Sequence, residues 1–143
     1  MASLARFTQS SPSDRRLLLR ALFLVVAVRA GLFVLPFRVI RSLTAKMRRR
    51  LPAHSAPRCA WAVRAASRYV PRATCLTQAL AAQALLTESG HESSIEIGVM
   101  KDQRRRFRAH AWVICGEEIV IGGAGADRYV PLAAWSTNIG GSN

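Results

Sequence analysis

The spacing of apolar and polar positions divides the chain into a first half with a helical period and a second half rich in strands. Apolar residues recur at helical spacing over 15–34, and a mixed apolar and basic pattern continues over 37–50 after a proline. Ser13 is a candidate cap for the first of these helices. A further helix is predicted over 58–70, where Pro71 ends the pattern.

The next helix is predicted over 75–89 and begins with a cysteine. Thr74 can cap this helix, and Gly90 provides a natural C-terminal stop. The predicted inner face consists of Leu76, Ala79, Leu80, Gln83 and Leu86. Cys75 is therefore expected in the first turn.

After Gly90 the apolar period changes to two, which is typical of half-buried strands. The predicted strands cover 95–99, 107–115 and 118–121. The last two form a β-hairpin through a turn at 116–117, and a glycine-rich loop at 122–125 leads into 128–135. This order predicts an α+β fold in which the cysteine helix packs on a small antiparallel sheet.

The segment 51–57 contains two prolines and is the best candidate for a domain boundary. We expect residues 1–52 to form a basic, apolar helical N-terminal segment and residues 53–143 to form the core domain. A chain of 143 residues has room for one core with such an appendage.

The net charge of +13 is concentrated in the first half of the chain. Residues 1–72 contain fifteen Lys and Arg residues and a single acid, Asp14, and so carry +14, whereas residues 73–143 carry −1. An exposed face of this sign attracts an acidic peptide, an acidic partner, anionic lipid or nucleic acid. Charge alone does not choose among these ligands.

The apolar N-terminal segment is interrupted by arginines. Its longest uncharged runs, 21–28 and 30–37, are much shorter than the roughly 20 apolar residues that cross a bilayer. The sequence therefore predicts neither a membrane span nor a signal peptide. Contact with a membrane surface is the lesser alternative to packing on the rest of the protein.

The cysteines and histidines are scattered along the chain, at Cys59, Cys75, Cys115, His54, His91 and His110. None of them has the spacing of a zinc motif, so we predict no metal and no cofactor. Three separate cysteines do not form a disulfide framework and fit a reducing compartment, so we expect a cytoplasmic protein.

A cysteine in the first turn of a helix has the properties of a nucleophile. The helix dipole and the unpaired backbone N–H groups favour a thiolate, and the same N–H groups can stabilise an oxyanion. His110 lies on a predicted strand between two alanines and can take the proton of Cys75 and return it to a leaving amine. Each residue alone fits a structural role, and only the pair indicates chemistry.

Several segments of the second half together match the pattern of a known family. They are Cys75-Leu76-Thr77-Gln78-Ala79-Leu80, Ile97-Gly98-Val99, Ala109-His110-Ala111-Trp112-Val113 and Tyr129-Val130-Pro131-Leu132. In these segments the chain resembles the transglutaminase-like leader peptidase, the protease subunit of the B protein of lasso-peptide biosynthesis. The resemblance implies a papain-like/transglutaminase-like fold with Cys75 as nucleophile and His110 as base.

The resemblance also implies an acid on the strand that follows the histidine, and here the chain departs from the pattern. Pairing Cys115 with Glu118 across the turn places His110 opposite Gly123, where no carboxylate is available. The imidazole is then oriented by a backbone carbonyl, by water or by Asp127 folding back from the loop. Both a Cys–His–Asp triad and a dyad stay open, since the third group chiefly fixes the imidazole.

By this resemblance, the substrate is a ribosomally made precursor peptide that is cut between leader and core. The implied partners are a small leader-binding protein and an asparagine-synthetase-like lasso cyclase, and nucleic acid is not expected. We add the hypothesis that the basic segment 1–50 docks the partner or an acidic leader. Two alternatives stay open: acyl transfer by a transglutaminase, and a non-enzymatic basic module for nucleic acid or anionic membrane.

Overall fold

The computed structural model describes residues 11–46 and 54–136. In this part of the chain, four α-helices precede a four-stranded antiparallel sheet, so the predicted α+β class is confirmed. The helices are α1 (Pro12–Val34), α2 (Phe37–Ala45), α3 (Ala56–Ser67) and α4 (Cys75–Glu88). The strands are β1 (Ser94–Lys101), β2 (Phe107–Cys115), β3 (Glu118–Ile121) and β4 (Val130–Ser136), with a 3₁₀ turn at Ala126–Arg128.

α1 and α3 each begin at a serine that stands before the first turn. Ser11 caps α1 by accepting a backbone N–H at 3.2 Å, so the predicted cap, Ser13, is wrong. Ser13 lies inside the helix because Pro12, whose φ already suits a helix, occupies the first position. Ser55 caps α3 in the same way, and this helix begins at Ala56, two residues earlier than predicted.

α2 is the shorter of the two N-terminal helices and ends at Ala45. The prediction extended this helix to residue 50. Residues 47–50 lie outside the described residues, as does the predicted boundary between residues 52 and 53.

α4 is the central helix of the described fold. Thr74 caps it by accepting the N–H of Thr77 at 3.3 Å, and Gly90, at φ 88°, lets the chain reverse after it, so both predictions are confirmed. Only one inner face was predicted for α4, but every residue from 79 to 88 is buried. The reason is that α1, α2 and α3 cover the sides of α4 that the sheet leaves open.

The strands are ordered β3-β2-β1-β4, and each adjacent pair is antiparallel. The predicted hairpin of β2 and β3 is confirmed, with Cys115 opposite Glu118. β3 shifts register by one residue and ends at Ile121, so its ladder stops before it reaches His110. On the other side of β2, His110 pairs with Gly98 of β1.

The two faces of the sheet have different neighbours. Ala111 and Val113 of β2 pack into the same core as the helices. The alternate positions, His110 and Trp112, lie on the other face, where Tyr129 packs against both rings.

β4 was not predicted. It pairs with β1 at the edge of the sheet opposite β3, and Pro131 lies beside a bulge in this pairing. An edge strand tolerates proline, which lacks a backbone N–H. Because β3 and β4 are at opposite edges, the connection 122–129 crosses the sheet on the face of Trp112.

α1 contributes one side to the shared core. Its buried residues are Leu17, Ala21, Leu24, Val25 and Val28. Arg20 pairs with the fully buried carboxylate of Glu88 at the end of α4, with Nε 2.9 Å from Oε2. Over its most apolar 18 residues α1 has a mean hydropathy of 2.3, and by length and composition it could cross a membrane, a property that core helices of soluble proteins and signal sequences share.

Candidate active site

Cys75 occupies the first position of α4 and carries a free, half-buried thiol. The side chain of Thr74 satisfies the N–H of Thr77. The N–H groups of Cys75 and Leu76 belong to the first turn and have no acceptor within the helix. Cys75 thus stands at the positive end of the helix dipole, next to two backbone donors of the first turn that can bind an oxyanion.

His110 is half-buried on β2, and its ring is fixed by a single strong contact. Nε2 lies 2.7 Å from the carbonyl oxygen of Gly122. Because a carbonyl oxygen only accepts, Nε2 carries the proton and donates it. The lone pair of Nδ1 is then free to accept a proton, so the contact selects the tautomer that a general base requires.

Gly122 stands where the resemblance implied an acid. Its φ is 75°, and a Cβ atom there would lie 2.7 Å from the carbonyl oxygen of Ala111. The sequence left three groups that could orient the imidazole: a backbone carbonyl, water or Asp127. In the structure the backbone carbonyl of Gly122 does so. A carbonyl fixes orientation and tautomer as a carboxylate would, but it gives less electrostatic support to an imidazolium.

Asp127 is exposed in the 3₁₀ turn of the crossing connection. Within residues 11–46 and 54–136, its carboxylate forms no hydrogen bond or ion pair, and the polar partner of His110 is Gly122. A catalytic role for Asp127 stays a prediction.

Two aromatic rings cover the imidazole. The centroid of His110 lies 5.1 Å from that of Tyr129 and 6.0 Å from that of Trp112. Trp112 is buried, and its Nε1 donates to Glu96 on β1 at 2.8 Å. Gly98 makes room for both rings, since a Cβ atom there would lie 2.7 Å from Trp112 and 2.9 Å from Tyr129.

Sequence reasoning did not assign these neighbours of His110. Tyr129 was noticed only as part of a matching segment, although an aromatic residue after a glycine-rich loop is a usable signal. Glu96 was predicted only as part of the strand over 95–99. The contact that pairs it with Trp112 depends on the register of β1 and β2, which local pattern does not give.

Cys75 and His110 lie on two elements that pack together, α4 and β2. Cys75 packs against the core between the helices and the sheet, and His110 contacts Tyr129 and Gly122. Within the described residues, no hydrogen bond joins the thiol to the imidazole. The structure thus orients each group separately without forming the contact between them.

The surroundings of the other two cysteines favour the neutral thiol. Burial raises the pKa of the Cys59 thiol, which lies 3.4 Å from the hydroxyl of Ser89. Burial also raises the pKa of Cys115, whose sulfur lies 3.4 Å from the carbonyl oxygen of Glu92. Neither thiol has the setting of a nucleophile. Over the two described ranges, no cluster of three or more His, Cys, Asp or Glu residues could hold a metal ion.

The chain has a free thiol at the capped start of a helix, followed by an antiparallel sheet that carries a histidine. This arrangement prompts a comparison with known families. The family model described as transglutaminase-like superfamily matches residues 21–134. The chain belongs to the transglutaminase-like superfamily. The matched range begins within α1, ends within β4 and contains Cys75, His110 and Asp127.

The transglutaminase-like fold generally serves cysteine-dependent enzymes, and the superfamily includes cysteine peptidases and acyltransferases. Both chemistries use a thiolate that attacks an amide or ester carbonyl and forms an acyl-enzyme. No curated protein and no solved structure gives a significant match to the chain.

Proposed function

We propose that this transglutaminase-like protein is a cytoplasmic cysteine peptidase that removes the leader from a lasso-peptide precursor, with Cys75 as nucleophile and His110 as base. The observation that carries the proposal is the free thiol of Cys75 at the capped start of α4 in a transglutaminase-like fold. The choice of a lasso precursor rests on the resemblance of the segments at 75–80, 97–99, 109–113 and 129–132.

In support of the pair, the start of α4 and His110 belong to the same end of the sheet, although the imidazole lies on the face away from the helices. The amide of Gln83 bonds the carbonyl of Ser93 and so fixes the middle of α4 beside the start of β1. Cys75 stands eight residues earlier, about 12 Å along the helix, which corresponds to about four residues of strand. Because the chain reverses after α4, four residues from Ser93 along β1 lead to Ile97, which is next to Gly98, the partner of His110.

The chemistry follows from the groups at this end of the sheet. Nδ1 of His110 takes the proton of Cys75, and the sulfur attacks the carbonyl carbon of the scissile amide. The backbone N–H groups of Cys75 and Leu76 bind the oxyanion. The C–N bond then breaks, His110 returns the proton to the leaving amine, and water hydrolyses the thioester. Hydrogen bonds of this kind often tighten only when substrate binds.

The test is cleavage of a purified lasso precursor in the presence of its leader-binding protein. Wild type is expected to release free leader and a core with a new N-terminus, and Cys75→Ala and His110→Ala to release neither. Cys59→Ala is the matched control and should retain activity, since Cys59 is buried beside Ser89. Full activity of Cys75→Ala would refute the proposal, and a product with an isopeptide bond would instead indicate acyl transfer.

The N-terminal helices offer a docking face for the leader-binding partner. Apolar side chains are exposed along one side of α1 and on α2, at Leu19, Phe23, Val26, Phe33, Val34, Val39 and Leu43. A groove of about 530 Å³ on α2 is lined by Pro36, Val39 and Leu43 together with Arg38 and Arg41. The one acid of this region, Asp14, is already paired with Arg58. An apolar patch rimmed by acids is the complementary surface.

Phe33→Ser tests this docking face, because Phe33 is 77% exposed on α1. We expect weaker binding of the leader-binding protein, and weaker binding still when salt is raised. Phe107→Ser is the matched control, since Phe107 is 75% exposed on β2, away from α1. Equal affinity of both variants would contradict the docking role. If Phe33→Ser keeps its affinity for the leader-binding protein but loses binding to anionic vesicles, the face would instead be assigned to contact with a membrane surface.

A further inference from the structure

The second half of the chain carries a net charge of −1, yet most of its basic residues gather in one place. Five of its six basic residues belong to the segment 101–108, which ends β1, turns and begins β2. The sixth, Arg128, ends the 3₁₀ turn of the crossing connection. The fold brings these two segments together at one end of the sheet.

They enclose a cleft of about 610 Å³. Its charged and aromatic walls are Asp102, Arg104, Arg106, Arg108, Arg128 and Tyr129. All four arginines are exposed. A concave site with convergent guanidinium groups favours a planar anion, because each group offers a fork of N–H donors.

The single acid in the cleft is occupied by the turn itself. Asp102 accepts the backbone N–H groups of Arg104 and Arg106 at 2.8 and 2.9 Å, and its other oxygen pairs with Nε of Arg108 at 3.2 Å. Among the described residues, no carboxylate pairs with the side chains of Arg104, Arg106 or Arg128. These three positive charges are therefore available to a ligand.

The cleft adjoins the candidate active site through one residue. Tyr129 lines the cleft and also packs against His110, with ring centroids 5.1 Å apart. A peptide whose scissile bond lies at His110 would therefore place residues a short distance along its chain in the cleft.

We propose that this cleft, which we call the arginine cleft, binds an acidic stretch of the peptide substrate through the side chains of Arg104, Arg106 and Arg128. The proposal rests on the peptidase function proposed above. A peptide carboxylate is preferred to a nucleic-acid phosphate because the cleft is next to the base of a proposed peptidase, and its one aromatic ring is already packed on His110. Nucleic-acid binding is retained as an outcome of the test.

The binding test uses Cys75→Ala, which separates affinity from cleavage. The probes are a fluorescein-labelled peptide with a run of glutamates, the same peptide with glutamines, and a labelled single-stranded oligonucleotide. We expect the glutamate peptide to bind best and its affinity to fall as salt rises. Adding Arg104→Gln and Arg128→Gln to Cys75→Ala should weaken binding about tenfold, whereas adding Arg68→Gln, outside the cleft, should not.

Cleavage of the precursor supplies the second readout. In otherwise wild-type protein, Arg104→Gln with Arg128→Gln should raise KM for a substrate with acidic residues and leave kcat nearly unchanged. The same variant should leave both constants unchanged for a substrate in which those residues are amides. Circular dichroism and thermal unfolding would establish that the variant folds as wild type does.

The outcomes separate this proposal from the peptidase proposal. If Cys75→Ala abolishes cleavage but the arginine variant binds and cleaves as wild type does, the cleft proposal fails and the peptidase stands. If wild type cleaves nothing but the glutamate peptide binds in an arginine-dependent way, the peptidase fails and the cleft stands. Equal binding of the glutamate and glutamine peptides, or tighter binding of the oligonucleotide, would overturn the assignment to a carboxylate.

Discussion

Gly122 shows how a backbone carbonyl can stand in for an acid in orienting an imidazole. Its left-handed backbone turns the carbonyl toward Nε2 of His110 while the α-carbon passes close to β2. A side chain would conflict with both requirements, because of the strain at positive φ and because of the space needed beside Ala111. The orientation of the imidazole therefore depends on the absence of a side chain.

Gly122→Ala is expected to lower both the stability of the protein and the proposed peptidase activity. The left-handed conformation costs about 1–2 kcal/mol for alanine. In addition, the new Cβ atom would lie too close to Ala111, so the carbonyl of residue 122 would have to shift. Gly125→Ala is the matched control: Gly125 has the same φ of 75°, but a Cβ atom there meets no atom within 4 Å. Thermal unfolding should show a loss of stability in both variants. Cleavage assays should show a larger loss of activity in Gly122→Ala than in Gly125→Ala. Equal activity of the two would contradict this role for Gly122.

Individual residues were predictable where the cause is local. Thr74 and Gly90 lie next to the helix that they cap and end, so the sequence was sufficient for both. The prediction of Ser13 as the cap of α1 was wrong because two nearby serines, Ser11 and Ser13, are both candidate caps. Pro12, which lies between them, suits the first position of the helix and so makes Ser11 the cap. The partner of His110 was left open among three possibilities, because local pattern does not indicate the register shift after which the ladder of β3 ends early.

At the scale of elements, the β1–β2 turn is held by a single carboxylate. Asp102 bonds two backbone N–H groups across the turn, in which Arg105 has a φ of 59°. These bonds hold the pKa of the Asp102 carboxyl below its ordinary value, and the bond from Arg106 has the largest effect. The side chain of Arg108 lowers the pKa further. The turn therefore prefers the ionised carboxylate.

The lowered pKa gives the turn an acid-sensitive contribution to stability. A carboxyl with a folded-state pKa below its unfolded value of about 3.9 stabilises the fold above that pH, and the contribution is lost as the pH falls through the folded-state pKa. Asp102→Asn should therefore be less stable than wild type at neutral pH, and the difference should shrink below about pH 4. Urea unfolding at several pH values measures it. Asp127→Asn, exposed in another turn, is the control, and an equal pH dependence of the two variants would contradict the prediction.

Helices and the hairpin could be predicted because their hydrogen bonds join residues close in sequence. β4 could not, for two reasons. Its paired residues in β1 are 31 to 42 positions away, from Val99–Val130 to Ser94–Ser136, and Pro131 counts against a strand in any local reading. The burial of α4 on all sides was also missed, since it depends on helices that come from elsewhere in the chain.

For the molecule as a whole, the Arg20–Glu88 ion pair joins the first helix to the last. The carboxylate of Glu88 is completely buried, whereas the guanidinium is partly exposed. The two residues are 68 positions apart, so no sequence pattern indicated the pair. It shows that α1 is bound to α4 by charge as well as by apolar packing.

Breaking this ion pair should destabilise the protein strongly. Arg20→Met leaves the buried Glu88 carboxylate without its partner, at an expected cost of about 3–5 kcal/mol in the free energy of unfolding. Arg16→Met on the same helix is the control and should have little effect, because Arg16 is exposed. Replacing both partners, as Arg20→Met with Glu88→Leu, should recover much of the loss. Denaturant unfolding measures all three, and a small effect of Arg20→Met alone would contradict the role of the pair.

The burial of α4 from residue 79 to residue 88 also indicates which part of the protein stays rigid. A helix enclosed by three others and a sheet opens only with the whole fold, so its amide hydrogens should exchange with solvent most slowly. Cys75 stands one turn before this buried stretch, on the same helix. In the reaction that we propose, the adjustment that brings imidazole and sulfur together therefore comes from the other side, where the start of β2 and residues Gly123 and Ala124 of the glycine-rich connection are exposed.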